Sequence, residues 1–283
     1  MEVNDIRVFG TQLIRTQDLD PVYSGLYKAR LPEPQLARAL IAYWCFYHLG
    51  VAAYLSEYEG KDFWDFMTTA ARNDDPDMAP KVILGNNTSL AAGMNAGNTH
   101  DRWPRSTERR HFRGVKCVQT IDFLRREKPE YWVRSLSGAT TENEVMRAVC
   151  TWPLFGPWIA FKVADMMERV YGQPLKFDPN IGLMYDSPRK ALDLLATDKD
   201  FTAVDKTPEG LYRNLLTFFQ PHKAPPANDR WCNAQEVETI LCKWGSMKTG
   251  HYHVGKDIVE VRHALGGWGE TAQQILRVMP EVV

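Results

Sequence analysis

From Pro34 to Tyr58 the apolar side chains fall at Leu36, Leu40, Tyr43, Trp44, Tyr47, Val51 and Leu55, a three- and four-residue rhythm that places them on one face of a helix. The rhythm returns along most of the chain, and almost nowhere does the period-two alternation of a strand replace it. Sheet-based folds are excluded on that ground. The spacing predicts helices over 34–58, with Gly50 as the place for a bend, and over 62–72. After a stretch to residue 102 rich in Gly, Asn and Thr, it predicts further helices over 115–126, 141–151, 157–171, 187–196, 209–219, 234–243, 255–265 and 270–278. No Ser-, Gly- or Pro-rich linker separates independent units, so the expectation is one all-α catalytic domain over residues 1–283.

Composition narrows the class further. With 44% apolar and 24% charged residues the chain has ordinary globular usage, which excludes disorder. The formal charge of −1 means that any nucleic-acid surface must be a local patch. No long apolar run suits a membrane span, and the opening Met-Glu-Val-Asn-Asp lacks a signal-peptide layout, so a cytoplasmic protein with no membrane partner is expected. Cys45, Cys117, Cys150, Cys232 and Cys242 are odd in number and scattered, against a disulfide framework, paired metal knuckles or an iron–sulfur ligand set.

Three segments carry chemistry. In Trp152-Pro-Leu-Phe-Gly-Pro-Trp158, Pro153 halts one helix, Gly156 is expected to take a backbone geometry closed to other residues, and Pro157 starts the next helix. Ile159, Val163, Met166, Met167 and Val170 then form its buried face. Its N-terminus, with Gly156, Trp158 and Lys162, would grip a nucleic-acid phosphate without reading sequence; a plain helix–turn–helix corner fits the same pattern. In the second segment Arg102, Arg105, Arg109, Arg110, Arg113 and Lys116 crowd around Trp103, His111 and Phe112, opposed only by Glu108. Such a cluster suits phosphate forks and base stacking, or else a solvated helix start. In the third, Cys242-Lys243 through Gly250-His-Tyr-His-Val-Gly-Lys-Asp257, two glycines bracket His251 and His253 ahead of a helix with Lys256 in its first turn. That arrangement suggests a phosphate cradle. A polar loop is the alternative, and a His-x-His metal pair lacks a third ligand by spacing, so a divalent metal is conceivable but unsupported.

The 152–178 stretch is similar to the helix-hairpin-helix of base-excising DNA glycosylases, which implies a two-lobed helical fold around a central cleft and an aspartate at the mouth of a base pocket. Asp178 occupies that place, although an Asp ahead of Pro179 also caps turns. Leu154 stands where those enzymes have the first hairpin glycine, and Pro157-Trp158 replaces the lysine nucleophile of bifunctional members, against Schiff-base lyase chemistry. Taken with Asp18-Leu-Asp-Pro-Val-Tyr23, Ala42-Tyr-Trp-Cys-Phe-Tyr-His48, the 103–114 and 152–158 motifs and the 242–257 segment, the chain resembles the bacteriophage amino acid:DNA transferases, grouped with α-glutamyl/putrescinyl thymine pyrophosphorylases.

That resemblance implies thymine hypermodification in the host cytoplasm. Double-stranded DNA bearing 5-hydroxymethyluracil, activated by an upstream DNA kinase, would exchange its phosphate or pyrophosphate for a free amino acid or amine. The base would be flipped out. Arg105, Arg109, Arg110, Lys243, His253 and Lys256 would neutralise the leaving group, Arg102, Arg113, Gly156, Trp158 and Lys162 would hold DNA, and Asp178 and His251 would move protons. A stacking residue is expected among Trp103, Trp158, Trp231 and Trp244. A monofunctional glycosylase and a noncatalytic DNA-binding subunit are the alternative readings.

Overall fold

The computed structural model describes residues 5–72, 103–109, 112, 114–199 and 201–281. Among these residues there are fourteen α-helices and no strand, only isolated bridges pairing Thr141 with Lys176 and Lys223 with Trp231. In chain order the helices are α1 Ile6–Thr16, α2 Pro21–Ala29, α3 Glu33–Phe46, α4 Leu49–Ser56, α5 Gly60–Arg72, α6 Val115–Leu124 and α7 Pro129–Leu136. They continue as α8 Glu142–Val149, α9 Pro157–Arg169, α10 Asp186–Thr197, α11 Pro208–Phe219, α12 Ala234–Lys248, α13 Lys256–Leu265 and α14 Glu270–Val278. The all-α expectation holds.

Two departures from the expected helices matter for the site. The helix expected over 34–58 breaks at Tyr47, which adopts φ +52, and not at Gly50. His48 restarts the chain as α4, its Nδ1 accepting from the Val51 amide at 3.2 Å. Gly50 has a different role, because a Cβ there would lie 2.1 Å from the Ala264 carbonyl oxygen. The second departure is that α1, α2 and α7 form where no helix was anticipated. Gly10 in α1 and Gly25 in α2 lower helix propensity but permit close packing: a Cβ would come within 2.4 Å of Phe219 and 2.7 Å of Met279 respectively.

The buried apolar side chains gather into two clusters. One runs from α2 through α9 and takes in α14, centred on Trp44, Phe46, Phe63, Trp103 and Phe161; the other joins α1 to α10, α11 and α12 through Phe9, Leu13, Leu192, Leu211, Phe219 and Trp244. Helices α9 and α12 face each other with buried charges. Arg169, with a side chain 2% exposed, lies 2.5 Å from Asp20, 3.5 Å from Asp165 and 3.6 Å from Glu236. Arg230 reaches Glu168 at 2.5 Å and Glu236 at 2.8 Å, and Lys162 pairs with Glu238 at 3.5 Å. Buried ions are tolerable only when paired in this way.

Candidate active site

Helices α8 and α9 are joined by the turn 150–156. Thr141 caps α8 in a reciprocal box with Glu144. Gly156 adopts ordinary extended backbone (φ −93°, ψ 179°), and the left-handed residue of the turn is Leu154, at φ +61°. The expectation of a special geometry at Gly156 is thus corrected, and the position where glycosylases carry a glycine is the strained one. Gly156 and Pro157 are exposed, and among the described residues no side chain caps α9, so its first amides have no side-chain partner there. Trp158 is half-buried, its ring 5.2 Å from that of Tyr47.

The cations expected to grip anions are mostly engaged within the protein. Arg109 is buried and donates to the carbonyls of Cys45 (3.0 Å) and Leu154 (3.2 Å), with its guanidinium over Phe112 and Phe155. Arg105 is buried and donates to the Ala70 carbonyl at 2.8 Å. Lys162 is turned from the hairpin mouth into its pair with Glu238. These three therefore brace the fold where the sequence suggested contacts with phosphate; long cationic side chains beside aromatic rings and orphan carbonyls satisfy both. Arg102, Arg110, His111, Arg113 and the Gly/Asn-rich stretch lie outside the described residues. Lys116 remains exposed at the start of α6, one turn before Thr120, whose hydroxyl donates to the Pro153 carbonyl at 3.1 Å.

In the 250–257 loop the amides do converge on an anion, and it is the protein's own. The carboxylate of Asp18 accepts from Gly255 N (2.6 Å), Ile258 N (3.1 Å) and the Tyr252 hydroxyl (2.5 Å). The cradle expected to take phosphate is therefore filled. Burial pushes the Asp18 carboxyl up, against the opposing pull of Lys243, Tyr252 and Gly255. Lys243 is held by Asp257 at 2.7 Å and donates to the Asp18 carbonyl and, at 3.0 Å, to Tyr252. Tyr252 points inward, so His251 and His253 on either side are exposed and do not meet. Lys256 donates to the His251 carbonyl at 2.6 Å and lies 3.7 Å from Glu260.

Asp178 is half-buried; its Oδ1 accepts from the Asn180 amide at 2.8 Å and leads the chain into a 3₁₀ turn at Ile181–Leu183. Of the candidate stacking residues, Trp103 and Trp244 are core, whereas Trp231 is 55% exposed beneath Lys223 and Trp158 is accessible beside the hairpin.

Four of the five segments that carry the sequence motifs, all but the 152–158 hairpin, meet around a cavity of about 300 Å³. Asp20 and Tyr23 come from the start of α2, Tyr43, Tyr47 and His48 from the α3–α4 break, Ser106 and Glu108 from the cationic motif, and Asp257, Glu260 and Val261 from α13. The left-handed Tyr47 ends α3 at the cavity, which Tyr43, Tyr47 and His48 line from that side. Burial pushes the His48 imidazole down to about 4, so the ring is neutral, and with Nδ1 accepting from Val51 its proton sits on Nε2. Burial, reinforced by nearby carboxylates, holds the Tyr23 phenol well above its usual range. Neither Asp178 nor His251 lines this cavity. From the sequence Tyr43 and Tyr47 belong to the apolar face of a core helix and Asp20-to-Tyr23 has no assigned role; the signal available was their acid–aromatic content beside a proline-started helix.

A family model for amino acid:DNA transferases matches residues 14–253. A glycinyltransferase of Pseudomonas phage PaMx11 is 39% identical over 301 residues, covering 98% of this chain and 96% of its own length. A putrescinyltransferase of Delftia phage PhiW-14 is 28% identical over 282 residues, covering 95% of this chain and 81% of its own.

Proposed function

Because the chain belongs to the amino acid:DNA transferase family, we propose that it transfers a free amino acid or amine onto the exocyclic methylene of activated 5-hydroxymethyluracil in DNA. The exocyclic C–O bond breaks and its electron pair departs with phosphate or pyrophosphate. A C–N bond forms from the lone pair of an amine that has first given one proton to the enzyme, and the product is a secondary ammonium. An upstream DNA kinase supplies the activated base.

What carries this reading is the convergence of four motif segments, remote in sequence, on one cavity beside an exposed helical hairpin. Tyr47 belongs to both places, lining the cavity and packing on Trp158 at the start of α9. A duplex phosphate resting on the open amides of α9, with Lys116 nearby, would bring a flipped base toward the cavity mouth. Unstacking that base costs a few kcal/mol, which contacts to the flanking backbone offset.

The test is a nucleoside digest of DNA bearing pyrophosphorylated hydroxymethyluracil, incubated with the enzyme and glycine or putrescine and read by mass spectrometry. Added amine mass on an intact nucleoside supports transfer. An abasic site formed without amine would replace this reading with a glycosylase, and unchanged DNA with retained binding would replace it with a noncatalytic module. Asp178 and His251 keep a separate test as proton-transfer groups: Asp178→Asn and His251→Ala should each abolish adduct formation at unchanged DNA affinity, and full turnover in either variant removes that residue from the mechanism.

A further inference from the structure

Resting on the reading of amine transfer, we infer that the cavity between α2, the α3–α4 break and α13 is the amine site, and that it takes a primary ammonium ion among the carboxylates of Asp20, Glu108, Asp257 and Glu260 and the rings of Tyr23, Tyr43 and Tyr47. Among the described residues no lysine or arginine lines it. The nearest cations pair with these carboxylates without lining the cavity: Arg169 with Asp20, Lys243 with Asp257 and Lys256 near Glu260. Of the three reactants, the activated group and the DNA backbone are anionic and the base is neutral, so the ammonium alone is attracted by such a lining. Tyrosine faces add to that attraction.

A second observation is independent of the charges. Tyr23 is 1% exposed, lines the cavity, and its hydroxyl has no hydrogen-bond partner among the described residues; the hydroxyl oxygen of half-buried Ser106, also on the lining, has none either. Buried hydroxyls are rarely left unpaired, and a bound N–H donor supplies what both oxygens lack. Among the described residues no three Asp, Glu, His or Cys side chains stand close enough together to hold one metal ion, so the acids are spread as an organic cation requires. The primary ammonium is the group that an amino acid and a diamine share, so one such site accommodates both.

The experiment uses the full-length protein in two measurements. In the first, ethylamine and, as a control without an ammonium group, acetate are titrated into the DNA-free enzyme and into Glu260→Gln and Tyr23→Phe, followed by amide chemical shifts. A saturable shift with ethylamine, absent with acetate and weakened about tenfold in both variants, is expected. No saturable shift, or saturation by Mg²⁺ at the same residues, overturns the assignment. In the second, adduct formation is followed against glycine and putrescine concentration, and the KM for amine should rise about tenfold in each variant while the KM for DNA stays within twofold. An unchanged amine KM in both variants sinks the site and leaves the transfer reading intact. A parent enzyme that forms no adduct with any amine sinks the transfer reading, and the ethylamine titration still decides the site.

Discussion

The α9–α12 seam and the cavity beside it are built from the same kinds of residue and do opposite things with them. In the seam every carboxylate faces a cation inside the protein: Asp165 and Glu236 face Arg169, Glu168 faces Arg230 and Glu238 faces Lys162. In the cavity the carboxylates border open space, although Asp20, Asp257 and Glu260 each keep a cation of the chain, Arg169, Lys243 and Lys256, that does not itself line the cavity. A carboxylate holds a fold together when its counter-charges fill the space around it, and it can also serve a ligand when part of its surroundings stays open to solution.

The strongest attack on that contrast is to remove a seam cation. Arg169→Met leaves Asp165 and Glu236 without their shared partner and should cost about 3–5 kcal/mol, a fall on the order of 10 °C in thermal unfolding. Unchanged stability would erase the distinction between seam and cavity. Asp18→Asn comes next. It weakens the acceptor for two amides and a phenol, and should cost about 2 kcal/mol by denaturant titration while raising the amine KM, because α13 carries one wall of the cavity.

Titration sharpens the contrast from another side. Burial pushes the Asp165 carboxyl up to about 7 from an ordinary 3.8, so the folded state holds its proton longer and stability declines as pH rises between those values. Asp165→Asn should remove that decline, gaining on the parent by at most about 1.4 kcal/mol per pH unit. His48 runs the other way. With its imidazole held down to about 4 from 6.5, its stabilising contribution is complete above 6.5 and lost as pH falls toward 4. His48→Gln should flatten that loss, and identical pH profiles for the two variants would contradict both assignments.

Smaller effects probe the hairpin. Lys116→Ala should weaken DNA binding several-fold and lower the salt slope by about one unit, whereas Arg109→Ala should act on stability, since its guanidinium is buried under main-chain carbonyls. Leu154→Gly should stabilise by about 0.5–1 kcal/mol through relief of its left-handed backbone, with Gly156→Ala near neutral because a Cβ there meets nothing within 4 Å.

Much of the fold was legible in the sequence because long periodic segments such as 157–169 and 208–219 bury one continuous face. Helices α1 and α2 were not, since Gly10 and Gly25 weaken the local signal for the sake of contacts with Phe219 and Met279, more than two hundred residues away. The site was legible as motifs, while the partners of its cations were not. Counting arginines between 102 and 113 reveals charge, but whether Arg109 meets a phosphate or the Cys45 carbonyl depends on the distant break at Tyr47. The glycine-bracketed loop suggested a phosphate cradle, and only the fold discloses that its amides bind Asp18.

That occupied cradle ties segments from opposite ends of the sequence into one knot. Chimeras between relatives therefore cannot exchange the link between α1 and α2 and the 252–258 segment independently: a graft bringing a neutral side chain to position 18 would free the 251–257 turn from its anchor, however well each piece had evolved in its own parent. Recombination breakpoints that keep residue 18 with residues 252–258 should yield working hybrids, and those that separate them should yield folded proteins with a loosened wall.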